Sequence, residues 1–205
     1  MKLIDDIVSK GRCTMCARVR LSQEERKEEI LKAGMKVFKK KGYVNTTMED
    51  IIGETTLSKG GVYYYYKSTS EILHDLMEFG IQYRMDIVRS TIDNFEKDSV
   101  DFLAEKIFEK IIDNNPYMDI YVQFLLAKRR DSKLESLFEE LKIEARDEFR
   151  KEMGDLPNSF EVEELYDFLT YFMNSLIIGA EVLGARKSFL DNKDMLIEML
   201  KTILS

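Results

Sequence analysis

Residues 46–67, TTMEDIIGETTLSKGGVYYYYK, decide the fold of this chain. The stretch predicts two short helices joined by a tight turn. Thr47, followed three residues later by Asp50, forms a near capping box, so the first helix is expected to begin directly after Thr47. Ser58 is a good N-cap, and the second helix is therefore expected to start near Lys59.

The second helix has an unusual distribution of side chains. Val62 and Tyr66 are four residues apart and share one face, which we expect to pack inward. Gly60 and Gly61 leave the first turn bare, where free backbone N–H groups suit a phosphate. The four tyrosines at 63–66 cannot all be core, because neighbours on a helix point about 100° apart. This pattern indicates a recognition helix for the major groove of DNA, with a tyrosine-rich packing helix as the alternative.

The residues on either side extend the pattern. They include Ile30-Leu31, Ala33, Phe38, Lys41-Gly42-Tyr43, Thr46-Thr47, Asp50-Ile51, Ser58-Lys59-Gly60 and Val62 to Ser68. Over about residues 26–73 the sequence resembles the TetR family of transcriptional regulators. It departs from the family pattern at Thr55 and Thr56 in the turn, at Tyr66 and at Thr69. The resemblance implies an N-terminal helix-turn-helix domain and a C-terminal helical domain that binds an inducer and dimerises.

Two groups of DNA contacts follow from the helix geometry and the resemblance together. The residues expected to hold phosphates are Lys27, Thr47, Ser58 and Lys67. The residues expected at the groove are Lys59, Gly61, Tyr63 and Tyr64, and Gly60 is expected to contact DNA at the bare first turn. Tyrosine is a poor bidentate reader of bases, so we expect specificity to rest partly on thymine methyl groups and on DNA shape.

The charge distribution agrees with contact to DNA at one end. The net charge is −7, but residues 1–67 carry 14 Lys/Arg against 9 Asp/Glu, and residues 68–205 carry 17 against 29. A basic head on an acidic body indicates a protein that touches nucleic acid through its head. There is no long apolar run and no signal-peptide pattern, so we expect a cytoplasmic protein that does not interact with membranes.

Residues 1–21 form an extension that precedes the family pattern. Its basic residues could act as an arm in the minor groove, although we favour a frayed extension. Cys13 and Cys16 with one distant histidine, His74, do not complete a four-ligand zinc site without carboxylates, so no metal and no cofactor are expected. We favour ordinary reduced thiols, with a redox switch as the alternative.

The composition predicts an all-α fold, since the chain has two prolines, ten glycines and many helix-forming residues. We expect a three-helix DNA-binding domain at 22–67, whose first helix is capped by Ser22 with Glu25 and stopped by Gly42. The body, 68–205, is expected to open with a long helix from Ser68 or Thr69. Further helices are predicted at about 100–113, 117–130, 133–153, 160–186 and 190–204.

The body carries eleven Phe, five Tyr and seven Met after residue 67. Such side chains pack cores and also line adaptable apolar pockets. The resemblance implies that some enclose a small, largely apolar effector, and the candidates are Tyr83, Phe108, Tyr121, Phe124 and Phe172. The sequence has no phosphate-binding loop and no hydrolase or metalloprotease motif, so we expect no enzyme activity. The alternative is a lipid carrier or helical enzyme whose basic head does not bind DNA.

The last two predicted helices carry strong apolar faces. Phe168, Phe172, Leu176, Gly179 and Leu183 form one stripe, and Leu196 and Leu200 belong to the face of the final helix. Gly179-Ala180 and Gly184-Ala185 are expected to admit a close neighbouring helix. An internal hairpin would leave much of these faces wet. The resemblance implies a four-helix bundle with a second copy, and we expect a two-fold homodimer.

Overall fold

The computed structural model describes residues 22–92, 100–153 and 163–205. The N-terminal extension with Cys13 and Cys16 lies outside these residues. Within them the fold is all-helical, as predicted. The elements are α1 Gln23–Lys41, a 3-10 turn Tyr43–Asn45, α2 Met48–Ile52, α3 Lys59–Tyr65, α4 Thr69–Ile92, α5 Val100–Ile112, α6 Met118–Lys128, α7 Ser132–Met153, α8 Glu163–Glu181, α9 Arg186–Asp191 and α10 Lys193–Leu204.

The first helix begins and ends where local chemistry predicts. The Ser22 hydroxyl accepts the Glu25 N–H at 3.1 Å, and the Glu25 carboxylate accepts the Ser22 N–H at 2.7 Å. Gly42 ends the helix at a φ of 82°, which favours glycine. Gly34 lets α1 approach α4 closely, since a Cβ there would lie 2.6 Å from the Ile72 side chain.

Two apolar cores hold the helices together. The first joins α1–α3 to α4, α6 and α7, and its fully buried members include Phe38, Val62, Ile72 and Phe124. The second lies among α5, α8 and α10 with parts of α4 and α6. The DNA-binding helices and the body therefore share a core across the predicted boundary at residue 67, which fixes the head against α4, α6 and α7.

The C-terminal region differs from the sequence prediction. The helix predicted at 160–186 ends at Glu181, and Gly184 lies in the following turn with a φ of 73°. Gly184-Ala185 is thus no helix-packing site. The helix predicted at 190–204 is split into α9 and α10 at Asn192, which caps α10.

The buried face of the last helix was also assigned wrongly. Leu196 and Leu200 are buried in the second core of the protomer and do not form an exposed interface. Gly179 already has a neighbour in its own chain, because a Cβ there would lie 3.2 Å from the ring of Phe189. The exposed apolar side chains of this region include Phe168 and Leu183 of the predicted stripe and also Tyr171, Val182, Leu190, Met195 and Met199.

Among the described residues, no helix is long and apolar enough to span a bilayer.

Candidate nucleic-acid interface and internal cavity

The predicted capping box of α2 is present. The Asp50 N–H donates to the Thr47 hydroxyl at 3.3 Å, and the Thr47 N–H donates to the Asp50 carboxylate at 2.9 Å. Lys41 at the end of α1 lies 2.7 Å from the same carboxylate. Its ammonium, followed by the hydrogen bonds from Thr47, lowers the pKa of Asp50 to about 2. These contacts hold the start of α2 against the end of α1.

The turn between α2 and α3 carries the two threonines that depart from the family pattern. The Thr55 hydroxyl donates to the Ile52 carbonyl at 3.0 Å, and the Thr56 N–H donates to the Glu29 carboxylate of α1 at 2.5 Å. The side chains of Thr55 and Glu29 therefore form hydrogen bonds with the backbone of this turn, at the point where the sequence departs from the family pattern. The position of α3 relative to α1 is set in part by Glu29.

The inward face of α3 is the one predicted. Val62 is fully buried and Tyr66, directly after the helix, is nearly so. The Tyr66 hydroxyl donates to Asp75 of α4 at 2.6 Å, and burial together with Asp75 raises the pKa of Tyr66. The Lys27 ammonium lies 5.8 Å from the centre of the Tyr66 ring. Lys27 thus lies beside the end of α3, and its contact with phosphate stays a prediction.

The outward face of α3 is open at its front. The Ser58 hydroxyl accepts the Gly61 N–H at 3.2 Å and caps the helix. A Cβ at Gly60 would meet nothing within 4 Å, so the first turn presents free space to solvent. Tyr64 is 68% exposed, and Tyr63 is half-buried beside it. This arrangement brings a bare helix N-terminus and exposed phenols onto one surface.

The two lysines of this surface have partners within the protein. The Lys59 ammonium lies 2.7 Å from the Glu49 carboxylate of α2, and this pairing raises the pKa of Lys59. The Lys67 ammonium donates to the backbone carbonyls of Tyr63 and Tyr64. The sequence analysis missed this capping role of Lys67. Its signal was available, because a cation just after a helix suits the unpaired carbonyls there.

One group of side chains could hold a metal ion. His74, Asp75 and Glu78 of α4 bring three ligand atoms within 4.8 Å of one another. Asp75 also accepts the hydroxyl of Tyr66, so this carboxylate fixes the end of the recognition helix. The group is therefore accounted for by the packing of α3 on α4.

A cavity of about 140 Å³ lies inside the body, between α4, α5, α6, α7 and α8. Of the five predicted effector residues, Tyr121 and Phe124 line it. The other three do not line this cavity. Tyr83 packs on the ring of Tyr117 at 6.1 Å, Phe108 is buried in the second core, and Phe172 stacks on Phe168 at 6.0 Å.

The cavity also has polar residues that the sequence analysis missed. Arg84, Lys110 and Lys142 line it, with Asn115 in the loop before α6. The Tyr121 hydroxyl donates to Asn174 at 2.8 Å, and burial raises the pKa of Tyr121. A signal existed in the sequence: Arg84 and Lys110 each stand at a position where the helical spacing of their segment calls for an apolar residue.

Comparison with known proteins agrees with this geometry. The family model described as bacterial regulatory proteins, tetR family, matches residues 30–76, from α1 into α4. YfiR of Bacillus subtilis (strain 168), an uncharacterized HTH-type transcriptional regulator, is 44% identical over 59 residues, which are 29% of this chain and 29% of that protein. IcaR of Staphylococcus epidermidis, a negative transcriptional regulator of the biofilm operon icaADBC, is 26% identical over 152 residues, covering 73% of this chain and 80% of IcaR.

The fold of the whole chain is found in solved structures as well. Salmonella enterica GusR superposes with a TM-score of 0.68 at 14% identity, over 90% of this chain and 98% of GusR. At that identity the likeness concerns the fold alone. Residues 30–76 thus match the tetR family model, the relatives are HTH-type transcriptional regulators, and the fold of the chain is that of GusR.

Proposed function

We propose that this chain is a ligand-responsive repressor. It binds a palindromic operator as a homodimer and leaves the operator when a small effector occupies the internal cavity. The observation that carries the proposal is a bare, exposed front on α3 that shares one core with the wall of an internal cavity. The negative regulator IcaR among its relatives supports repression over activation.

The DNA-facing role rests on what α3 can offer a duplex. The free space at Gly60 allows the backbone to approach a phosphate, and the positive end of the helix dipole favours the anion. Tyr63 and Tyr64 then reach the groove, while Thr47 and Ser58 flank the backbone of the DNA. The Ser58 hydroxyl accepts from Gly61 and can still donate its O–H to a phosphate. The Thr47 O–H donates to the Asp50 carboxylate at 2.8 Å and would have to exchange that partner for a phosphate.

The lysines are poised to exchange partners. The ion pair between Lys59 and Glu49 is exposed on both sides, and such pairs contribute little in water. A DNA phosphate can therefore replace Glu49 as the partner of Lys59. Lys67 is expected to bridge the end of α3 and a phosphate, since an ammonium has three donors.

The dimer would form through the apolar side chains left exposed at the C-terminal end. Leu183 is 78% exposed, Phe168 is exposed on α8, and Met195 and Met199 are exposed on α10. This set replaces the buried Leu196, Leu200 and Gly179 of the sequence prediction, while Phe168 and Leu183 remain in it. Leu176 is half-buried at the edge of the same stripe. Large apolar patches of this kind mark protein contacts, and a two-fold interface uses the same patch twice.

Helix α6 would carry the signal from cavity to head. Tyr121 and Phe124 face the cavity, and between them Gln123 points to the head. Gln123 accepts the Tyr43 N–H at 2.7 Å and donates to the Phe38 carbonyl at 3.3 Å. An effector that binds one position of α6 better than another would shift the heads to a spacing that the operator does not fit.

The test is selection of duplexes from a randomised pool by the purified protein, followed by fluorescence anisotropy at increasing salt. We expect a palindromic site whose affinity falls steeply with salt, and a protein that sediments as a dimer. A lipid carrier or a helical enzyme with an unused basic head would enrich no sequence. Failure to enrich any site, or a monomer that binds duplexes without salt dependence, would contradict the proposal.

A further inference from the structure

Three cationic side chains line the cavity, and two of them are neutralised within the protein. Lys142 lies 2.5 Å from Glu139 and 2.7 Å from Asp167. The Arg84 guanidinium lies 3.3 Å from Asp113 and donates to the Lys106 carbonyl at 3.2 Å. Both cations therefore have their counter-charges in place without any ligand.

Lys110 is different. It lines the same cavity, yet among the described residues no carboxylate pairs with its ammonium and no hydrogen bond holds it. The Asp113 carboxylate, which follows on the same segment, accepts from Arg84 at 3.3 Å and from the Asn115 amide at 3.1 Å. Lys110 and Arg84 line the cavity, whereas Asp113 does not and balances only Arg84, so these three side chains together carry one positive charge in excess.

An unpaired ammonium in a largely enclosed site is unfavourable, since its desolvation is not offset by a partner. Burial and then the nearby Arg84 guanidinium lower the pKa of Lys110 to about 8. An apolar side chain at position 110 would continue the stripe of Leu103 and Ile107 on α5 without this cost. A lysine kept at such a point is typical of a ligand site rather than of a packed core.

The remaining wall is apolar and adaptable. Methionine and isoleucine side chains form much of it, with aromatic rings beside them: Met77, Ile81, Met85, Met118, Met173 and Ile177, and Tyr117, Tyr121, Phe124, Phe138 and Tyr166. Unbranched, polarizable methionine side chains adjust to the shape of a flexible chain. The cavity thus combines one excess positive charge with an alkyl-compatible body.

We propose that the effector is an amphipathic organic anion, whose carboxylate binds Lys110 beside Arg84 and whose alkyl body lies along the methionine-rich wall. The proposal rests on the function proposed above, because it takes this cavity as the effector site. It refines the largely apolar effector expected from the sequence by adding an acidic head group.

The test compares ligands that share a chain and differ in the head group. Isothermal titration of the full chain at pH 7 uses decanoate, 1-decanol and decyltrimethylammonium, with hexanoate and hexadecanoate to sample chain length. A charge-assisted hydrogen bond in a shielded site predicts that decanoate binds at least about 10-fold more tightly than 1-decanol. The cation is expected to bind least.

Variants assign that preference to one side chain. Lys110→Met should remove the preference for decanoate and leave the affinity for 1-decanol within about twofold. Lys110→Arg should keep the preference. Lys133→Met, which removes an exposed lysine of α7, is the matched control and should change neither affinity.

The proposal is overturned if decanoate and 1-decanol bind wild type equally, if Lys110→Met keeps the preference, or if no acid of the series binds. These outcomes are separable from failure of the repressor function. If uncharged 1-decanol binds and dissociates the protein from the operator as decanoate does, the proposed regulation is retained and the anionic effector is rejected. A protein that prefers decanoate but enriches no duplex would retain the anion site and reject the repressor.

Discussion

Lys59 and Lys110 place the same side chain in two opposite settings. Lys59 projects from the front of α3 into solvent and is paired with Glu49, which raises the pKa of Lys59. Lys110 faces an enclosed cavity and has no carboxylate partner among the described residues; burial and Arg84 lower its pKa to about 8. The exposed charge of Lys59 contributes little to stability and can exchange Glu49 for another anion. The charge of Lys110 is unfavourable where it lies, because no carboxylate among the described residues offsets its desolvation.

The difference indicates how the two surfaces recognise their ligands. At the DNA-facing surface many weak, exposed contacts add up, and their sum is sensitive to salt. In the cavity a single shielded charge can decide the class of ligand, because it acts where water does not screen it. The predictions below separate these two behaviours, from the largest expected effect to the smallest.

The largest effect should come from a change that touches neither surface directly. Leu183→Glu combined with Met199→Glu places charges on the exposed apolar face proposed for the dimer. We expect a monomer whose operator affinity falls by about 100-fold or more, since two linked heads gain that much from joint binding. Analytical ultracentrifugation and anisotropy measure the two quantities.

The matched control for the dimer variant is Ile143→Glu, which charges an exposed apolar residue of α7 outside that face. It should remain dimeric and bind the operator normally. Decanoate binding should survive in both variants, because the cavity lies within one protomer. A double variant that still forms dimers would place the interface elsewhere on the molecule.

At the DNA-facing surface, Tyr63→Ala should reduce operator affinity by about 1–3 kcal/mol, the range typical of a specific groove contact. Tyr63 is half-buried, so a small fall in the melting temperature is expected and is measured alongside by thermal unfolding. Tyr63→Phe retains the ring and separates hydroxyl contacts from contacts of the ring. Operator affinity that is unchanged in Tyr63→Ala would remove this residue from the reading surface.

The head of the molecule could be predicted from sequence because its signals are local. Ser22, Thr47 and Ser58 each accept a backbone N–H three residues later, and that chemistry depends on a few neighbouring residues. The inward face of Val62 and Tyr66 follows from helical spacing alone. The capping role of Lys67 was equally local, but it was overlooked in favour of a phosphate contact.

The buried faces of the body could not be predicted, because they depend on contacts between helices that are distant in the sequence. On α10, Met195 and Met199 alternate with Leu196 and Leu200, so both faces are apolar and the sequence does not say which one is buried. Phe124 lines the cavity while Phe108 fills a core, although both stand in similar apolar stripes. The structure adds what periodicity lacks, namely which helix lies opposite each stripe.

In the cavity, the titration of Lys110 predicts a pH effect of intermediate size. The free protein holds Lys110 charged below pH 8, and a bound carboxylate would raise the pKa of Lys110 further. Decanoate affinity should therefore be full near pH 7 and fall by up to about tenfold per unit above pH 8. The affinity for 1-decanol should stay level, as isothermal titration between pH 7 and 9.5 would show.

Other ionisable groups around the cavity should not mimic this effect. Arg84 and Asp113 are paired with each other, and burial raises the pKa of Tyr121 and that of Tyr166, so both phenols stay neutral. Lys142 is charged throughout, because Asp167 and Glu139 outweigh burial and raise its pKa. Tyr117 also lines the cavity. Because Lys110→Arg leaves Tyr117 in place, this variant separates the effect of Lys110 from any effect of that phenol. Decanoate affinity that still falls above pH 8 in Lys110→Arg would assign the titration to a different group.

The smallest effect concerns the link between the two surfaces. Gln123→Ala removes both hydrogen bonds from α6 to the head and should weaken the coupling, measured as the ratio of operator affinities without and with saturating decanoate. A loss of one such link predicts a severalfold fall in that ratio, within the ~1–3 kcal/mol typical of coupling energies. Asn45→Ala is the matched control, since its amide donates to the Lys41 carbonyl inside the head and does not reach α6. If both variants lower the ratio equally, general loosening of the head explains the effect, whereas a fall confined to Gln123→Ala assigns the coupling to α6.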